Sequence, residues 1–331
     1  MHISKNERWF QLHSSCIPVK GKESSLIYDI EKQQLYPISN DHYELLSLCK
    51  LHHILELKEM LIDVSSGEVD AFLGHFVDNH LGFYTTSPNS FPDLELAWKS
   101  PSIITNGIIQ INSRSTFSLK ELIDQLHSLG CDAVQLRLED DFNIELITEM
   151  ITAFEETRIK LIDLILPYNS DLTKEVLFDL MYTYKRLGVL RLYNAFEDGT
   201  WEDSIRGCNV FLYTKDIRTN PIEIMHEGRF VTNPYVFMEA QQHNTGLNRK
   251  VCIDVDGNIK NYINHVTNWG NIKKDTLKAV VLTDEFQEKW FIKNDQIEKC
   301  RECPFRYCCV SNVDIEKRNE RYYKLEDCPI N

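Results

Sequence analysis

No stretch of this sequence approaches the ~20 continuous apolar residues that a membrane-crossing helix needs. The opening, MHISKNERWF, has no apolar core of the kind a secretory signal carries. No basic cluster offsets a formal charge of −14, from 36 Lys and Arg against 50 Asp and Glu. That balance argues against nucleic acid or an anionic membrane as partner, since both need a cationic surface. Low-complexity tracts and short repeats are missing, as are a P-loop and a nucleophilic triad. These absences point to a globular protein of the cytoplasm, where thiols stay reduced.

What is present is enough chain for two or three domains of about 100–200 residues each. Three regions separate by pattern. Residues 1–88 open with strand-like pieces at 10–13, 25–28 and 34–38, joined by polar turns such as "VKGKES". Helical periodicity follows, with Ser39 or Asn40 as first cap and helices at about 40–48, 54–62 and 68–81. "GFYT" closes the region as a strand. Three strands and three helices make a small winged-helix-like pattern. "TTSPNSFPD" then reads as a linker.

Residues 98–235 alternate strand with helix. "IITNGIIQI", "DAVQLRL", "KLIDLILP", "VLRLYN" and "GCNVFLYT" are strand-like, and amphipathic segments separate most of them. This alternation gives βαβ units and a parallel sheet. Five strands suit a partial (β/α) barrel. The fold class expected is α/β. In residues 236–331, "KVCIDVDGNIKNYI" reads as a hairpin turning at "DVDGN". A helix is expected at 286–292, and a charged helix at 314–323.

Ten cysteines are used unevenly. Cys16, Cys49, Cys131 and Cys208 stand singly in apolar surroundings, and five more crowd between Cys300 and Cys328. Reduced thiols so clustered read as metal ligands before disulfides. Cys300 and Cys303 form a C-x2-C pair, Cys309 follows, and Cys328 closes the set. Four thiolates at one point suit tetrahedral zinc or a [4Fe–4S] cluster. Spacing alone leaves Cys308 and Cys309 interchangeable.

The tail resembles a SPASM domain, the auxiliary iron–sulfur module of many radical S-adenosylmethionine peptide-modifying enzymes. Cys252 and Gly257 match its opening. Cys300, Cys303 and Cys309 match its C-x2-C-x5-C, and Cys328 its last position. Tyr262 and Val313 stand where two further cysteines belong. The resemblance implies that one cluster keeps all four ligands (Cys300, Cys303, Cys309 and Cys328) and that the other has lost two. Cys252 is then a relic or a packed thiol.

The barrel's own motif is absent. That family carries C-x3-C-x2-C after the first barrel strand, where this chain has "NSRSTF". "VQLRLEDDFN" replaces its Gly-Gly-Glu, and Leu138 and Glu139 deny the close backbone approach that glycines allow. The resemblance therefore implies a degenerate radical-SAM-like barrel with no S-adenosylmethionine. The run Glu139-Asp140-Asp141 is expected to be a solvated loop capping the next helix.

Across nearly its whole length the chain is similar to the SPASM proteins of the grasp-with-spasm peptide-maturation systems. "LHSSCIPVKGKESSLIYDI", "MEAQQHNTGLNRKVCIDVDGNIKN" and "YKLEDCP" carry the likeness. It implies two partners, a precursor peptide with a leader and an ATP-grasp ligase. Residues 1–88 also resemble leader-recognition elements, which take a leader as an added strand. The implied groove lies between strand 34–38 and helix 68–81, at Gln34, Leu35, Tyr36, Ile38, Phe72 and Phe76.

Two functions follow. One is an accessory protein that binds the leader and serves the ligase. The other is an iron–sulfur enzyme that itself modifies the precursor, with catalytic residues unassigned. The absent three-cysteine motif favours the first. His243 and His265, nearest the cluster segment, are expected to be packed or solvent-facing side chains rather than ligands or bases.

Overall fold

The computed structural model describes residues 8–62, 64–216 and 230–328. The first seven residues, most of the opening that lacks a signal's apolar core, lie outside the described residues, as do the last three.

Short alternating segments give β1 (Trp9–Leu12), β2 (Cys16–Val19), β3 (Ser25–Asp29) and β4 (Gln34–Ile38). The last three form an antiparallel meander with β3 in the middle, Ile27 opposite Tyr36 and Tyr28 opposite Leu35. β2 lies just before the stretch expected as a turn, where Pro18 and flanking polar residues hide its alternation. Helices α1 (Asn40–Cys49), α2 (Ile54–Met60) and α3 (Ser66–Asp78) follow. Ser39 caps α1 by accepting the His42 N–H at 3.1 Å. Ser65 and Glu68 cap α3 reciprocally. β5 (Gly82–Thr85) then pairs with β1. The apolar stripes of the three helices bury Leu46, Leu57, Val69, Leu73 and Phe76 with Phe10 and Ile27 in one core.

The middle of the chain runs β6 (Asn106–Ile111), α4 (Leu119–Ser128), β7 (Ala133–Leu138), α5 (Ile144–Thr152), β8 (Leu161–Pro167), α6 (Lys174–Thr183) and β9 (Leu187–Tyr193). Gly130 ends α4 with φ +90, a conformation that favours glycine. β6 to β9 are parallel neighbours in chain order. β10 (Gly199–Asp203) and β11 (Cys208–Leu212) extend the sheet, β11 parallel to β9 and β10 antiparallel at the edge. After α7 (Pro234–Ala240), β12 (Lys250–Ile253) joins the other side, parallel to β6. With β13 (Asn258–Lys260) and β14 (Gly270–Asn271) the sheet has nine strands among the described residues, in the order β10-β11-β9-β8-β7-β6-β12-β13-β14. The protein is thus mixed α/β on a large, mostly parallel sheet. "KVCIDVDGNIK" does form the expected hairpin, with Gly257 at its turn. Its first strand is also a sheet strand, pairing with residues more than a hundred positions away.

The sheet is two-faced. Ile109, Leu136, Leu164, Leu190 and Val251 pack under the helices. The alternate positions, including Gln135, Arg137, Asp163 and Arg191, point the other way.

In the tail, α8 (Leu277–Val281) and α9 (Asp284–Gln287) lead through short 3-10 turns to the cysteines. The charged helix expected at 314–323 is a hairpin instead: β15 (Ile315–Arg318) and β16 (Arg321–Lys324), antiparallel. Asn319 (φ 47) and Glu320 (φ 65) are both left-handed, as a two-residue hairpin turn requires and a helix forbids. Charges spaced three and four apart suited either structure; Asn319 decided it. Among the described residues no helix is long and apolar enough to cross a membrane.

Candidate functional site

The cysteine loop is built from tight turns. Lys299 (φ 64) enters a 3-10 turn at Cys300–Glu302, and the Cys303 N–H returns to the Cys300 carbonyl at 3.0 Å. The Cys308 and Cys309 N–H groups both reach the Phe305 carbonyl. Outside contacts fix the loop: Asn294 donates to the Arg306 carbonyl at 2.7 Å, and the Thr245 hydroxyl to the Cys309 carbonyl at 3.0 Å. Cys300, Cys303, Cys309 and Cys328 are half-buried and free of disulfides.

Their thiols share one neighbourhood. Burial pushes Cys303 up, and the Cys300 and Cys328 thiols add to that. Burial pushes Cys309 up to about 11 with Cys300, Cys303 and Cys328 beside it, while Lys324 on β16 opposes the rise. Burial would lower Lys324, but Cys309, Cys300 and Cys328 outweigh it, and its ammonium is held above the usual lysine value. The donor chemistry fits a metal or cluster that prefers thiolates: four soft sulfurs and an ammonium that offsets their charge. As they stand the side chains are not drawn into a ligand sphere. Among the described residues no three His, Cys, Asp or Glu groups are set to hold a metal ion. A bound ion would displace the thiol protons that burial now favours.

The adjacent Cys308 and Cys309 have different surroundings. Cys308 is fully buried on the side of the N-terminal meander, 3.5 Å from the Tyr28 hydroxyl, and burial raises its pKa to about 12. Cys309 has Cys300, Cys303 and Cys328 in its neighbourhood. Cys252 is buried with Ile108, Leu247 and Tyr262. Tyr262 and Val313, the two positions that break the SPASM pattern, line one small cleft with Asn264, Asn312, Asp314, Leu325 and Glu326.

The expected peptide edge lies at β4. β4 ends its three-stranded sheet, with Gln34 and Pro37 exposed and Leu35, Tyr36 and Ile38 half-buried. Tyr36 and Ile38 pack against the helical core, as does Phe72, and Phe76 of α3 is buried within it. Leu35 packs on the opposite side, against the cluster that includes Cys308 and Phe305.

His243 and His265 are packed against their neighbours, and the acidic run is tied to β6 and the loop after it. His243 sits among the rings of Trp98 and Phe291, and His265 is 2% exposed with Nε2 3.0 Å from the Asn312 carbonyl. Burial lowers both pKa values. The acidic run does not cap the next helix; Asn143 does, accepting the Leu146 N–H. Asp140 instead accepts the Ser113 N–H at 2.7 Å, and Glu139 accepts from Gln110 at 2.9 Å.

One polar group was missed. On the sheet face away from the helices, Gln135 donates to Asp163 at 2.8 Å, Arg137 donates to Gln135 at 2.6 Å, and Arg191 pairs with Asp163. Period two was the signal: "VQLRL", "LIDLIL" and "VLRLY" place a polar residue at alternate positions within strands otherwise apolar.

Fold and site together define a mixed α/β protein whose four-thiol neighbourhood leans on an N-terminal antiparallel sheet. No family model matches the sequence, and no curated protein does. Its fold is similar to crystal structures of Streptococcus suis SuiB, one with S-adenosylmethionine bound and one with the precursor peptide SuiA. Identity is 12% to each, over 92% of this chain and 93–94% of theirs, with a TM-score of 0.36.

Proposed function

We propose that this chain is an accessory protein of ribosomal peptide maturation, which takes a precursor's leader on β4 and works with an ATP-grasp ligase. Residues 1–88 recognise the leader, 98–235 form a degenerate radical-SAM-like partial barrel, and 236–331 form a SPASM-like unit. The observation that carries this reading is the place of β4: an edge strand whose Tyr36 and Ile38 join the apolar cluster that holds Phe72 and Phe76 of α3. Strand addition needs such an edge, and Pro37 leaves pairing to the neighbouring N–H groups. The acidic balance favours a peptide over DNA as occupant.

Cys300, Cys303, Cys309 and Cys328 would hold one [4Fe–4S] cluster, or zinc. Such a cluster supplies one-electron chemistry or structural cross-linking. The chain's own residues shape the site: Lys324 offsets the thiolate charge, and Asn294 and Thr245 fix the loop's carbonyls. The meeting of Tyr262 and Val313 at one cleft supports the loss of a second cluster as a single event in space. Four protein ligands leave no open position for S-adenosylmethionine.

The full chain should bind the leader of a precursor encoded beside it, measured by fluorescence anisotropy. Phe72→Ala should weaken binding about tenfold or more, the loss of one buried aromatic contact. A full chain that binds no such leader ends this reading. A second reading, an enzyme acting alone, draws on the polar network of Gln135, Arg137, Asp163 and Arg191. It predicts a mass change in precursor incubated without ligase, or 5′-deoxyadenosine from S-adenosylmethionine.

A further inference from the structure

The turn between β2 and β3 touches the cysteine loop along its length. The Lys22 N–H donates to the Glu302 carbonyl at 2.8 Å. Arg306 donates to the Lys20 carbonyl at 2.7 Å and, within its own loop, to that of Cys303 at 2.9 Å. The Tyr28 hydroxyl, fully buried, donates to the Pro304 carbonyl at 2.7 Å. Gly21 lies so close that a Cβ there would meet Pro304 at 2.6 Å and the Ser24 carbonyl oxygen at 2.4 Å. Behind these contacts, Val19, Leu26, Tyr28 and Leu35 share one apolar cluster with Phe305, Tyr307 and Cys308.

We infer that Gly21 and Tyr28 are positioning residues for the thiol site, and that β3 and β4 sense whether it is filled. The loop that carries Cys300, Cys303 and Cys309 is seated on this hairpin, so the hairpin fixes where three of the four sulfurs stand. A metal drawn to those sulfurs rigidifies the loop, and the loop's partners on the hairpin are rigidified with it. Leu35 sits within the shared cluster and belongs to β4. A strand added on β4 therefore binds a sheet that a filled site has already ordered. By reciprocity an added strand tightens metal binding by the same factor. The strand half of this inference rests on peptide addition at β4; the metal half stands without it.

The probe is Zn²⁺ alone, added to reduced full-length protein against a competing chelator. Tyr28→Phe keeps the ring and removes the hydroxyl's bond to Pro304, so zinc affinity should fall about fivefold, the worth of one buried hydrogen bond. Gly21→Val pushes on Pro304 and should cost more than tenfold. Should Gly21→Val fail to fold, Tyr28→Phe decides alone. Hydrogen exchange supplies the readout that a merely structural role would not move. In the parent, zinc should slow exchange at residues 25–38 at least about twofold, and in Tyr28→Phe it should not. Cys303→Ala should abolish both effects. Unchanged zinc affinity in Tyr28→Phe, unchanged exchange at 25–38 on zinc binding, or full zinc affinity in Cys303→Ala would each overturn the inference. A leader that binds equally to zinc-loaded and zinc-free protein overturns the strand half. If zinc protects 25–38 while no leader binds at all, the leader reading fails and the positioning roles hold.

Discussion

The N-terminal region and the cysteine tail are held by opposite means. Around α1–α3, hydrophobic periodicity alone builds a core, and Phe10, Ile27, Leu57, Leu73 and Phe76 are almost fully buried. Residues 300–328 have no such core of their own. Cys300 and Tyr322 lie at the margin of a cluster built mostly from elsewhere, and Phe305, Tyr307 and Cys308 pack on the N-terminal sheet. The first region should fold by burial. The second is borrowed structure, seated on elements outside it.

The sharpest test of that contrast is to remove one thiol of the proposed metal site. Structural metal sites in small modules contribute on the order of 10 kcal/mol to folding. Cys303→Ala in metal-loaded protein should expose 295–328 to limited proteolysis and leave 8–85 resistant. Equal resistance throughout would show that docking alone holds the tail. Anaerobically reconstituted parent should carry about four irons per chain, one cluster's worth. Iron near eight would mean that a second cluster forms, against the loss proposed at Tyr262 and Val313.

The reverse test is a cavity in the N-terminal core. Leu73 is fully buried, and Leu73→Ala should cost about 2–5 kcal/mol. Its denaturation midpoint should fall while metal content stays unchanged.

What the sequence disclosed follows the same division. Periodic elements were legible: α1 to α3, β6 to β9 and the β12–β13 hairpin all stand near where alternation and 3.6-residue spacing put them. The 314–323 segment was not, because its charges fit a helix and only Asn319 and Glu320, both with positive φ, mark the turn. Nor was β12's place beside β6, a pairing across the chain with no local signal. The thiol set was visible as spacing. That Cys308 turns inward to Tyr28 while Cys309 joins the others was not, since neighbours diverge only once the loop folds.

pH separates the regions again. Cys309 is raised from 9.0 to about 11 by burial. A raised folded value means the neutral thiol is favoured, so its stability is intact below about 9 and is lost as pH climbs through 11. Cys16 and Cys49 in the N-terminal region are raised by burial too, to about 11 and 12. Without metal, both regions should therefore loosen above pH 9, read by near-ultraviolet circular dichroism. With metal, the tail alone should reverse sign. Its thiols are then ionised, so it should hold at high pH and release metal as pH falls, because protons compete for sulfur. A loaded tail that loosens at high pH along with Cys16 and Cys49 would mean the thiols are not the ligands.

The smallest effect locates the seam between the two regions. Ser65 accepts the Glu68 N–H at 3.3 Å, and Glu68 accepts the Ser65 N–H at 2.8 Å, closing a capping box on α3. Ser65→Ala removes half of it and should cost about 1 kcal/mol. The exposed Lys50–Asp93 pair, at 2.9 Å, is the baseline, and Lys50→Ala should cost about 0–1 kcal/mol. α3 packs on the face of the meander that carries Ile27 and Tyr36, whereas the cysteine loop packs on the face that carries Tyr28 and Leu35. A strand points successive side chains to opposite faces, so a small defect on one is screened from the other by β3 itself. Ser65→Ala should thus lower the N-terminal unfolding temperature by a few degrees and leave zinc affinity where it was. Tyr28→Phe should do the opposite, weakening zinc with little effect on that temperature. If Ser65→Ala moves zinc affinity as far as Tyr28→Phe does, the two faces are not independent, and the contrast between a self-folding region and a borrowed one gives way to a single cooperative unit.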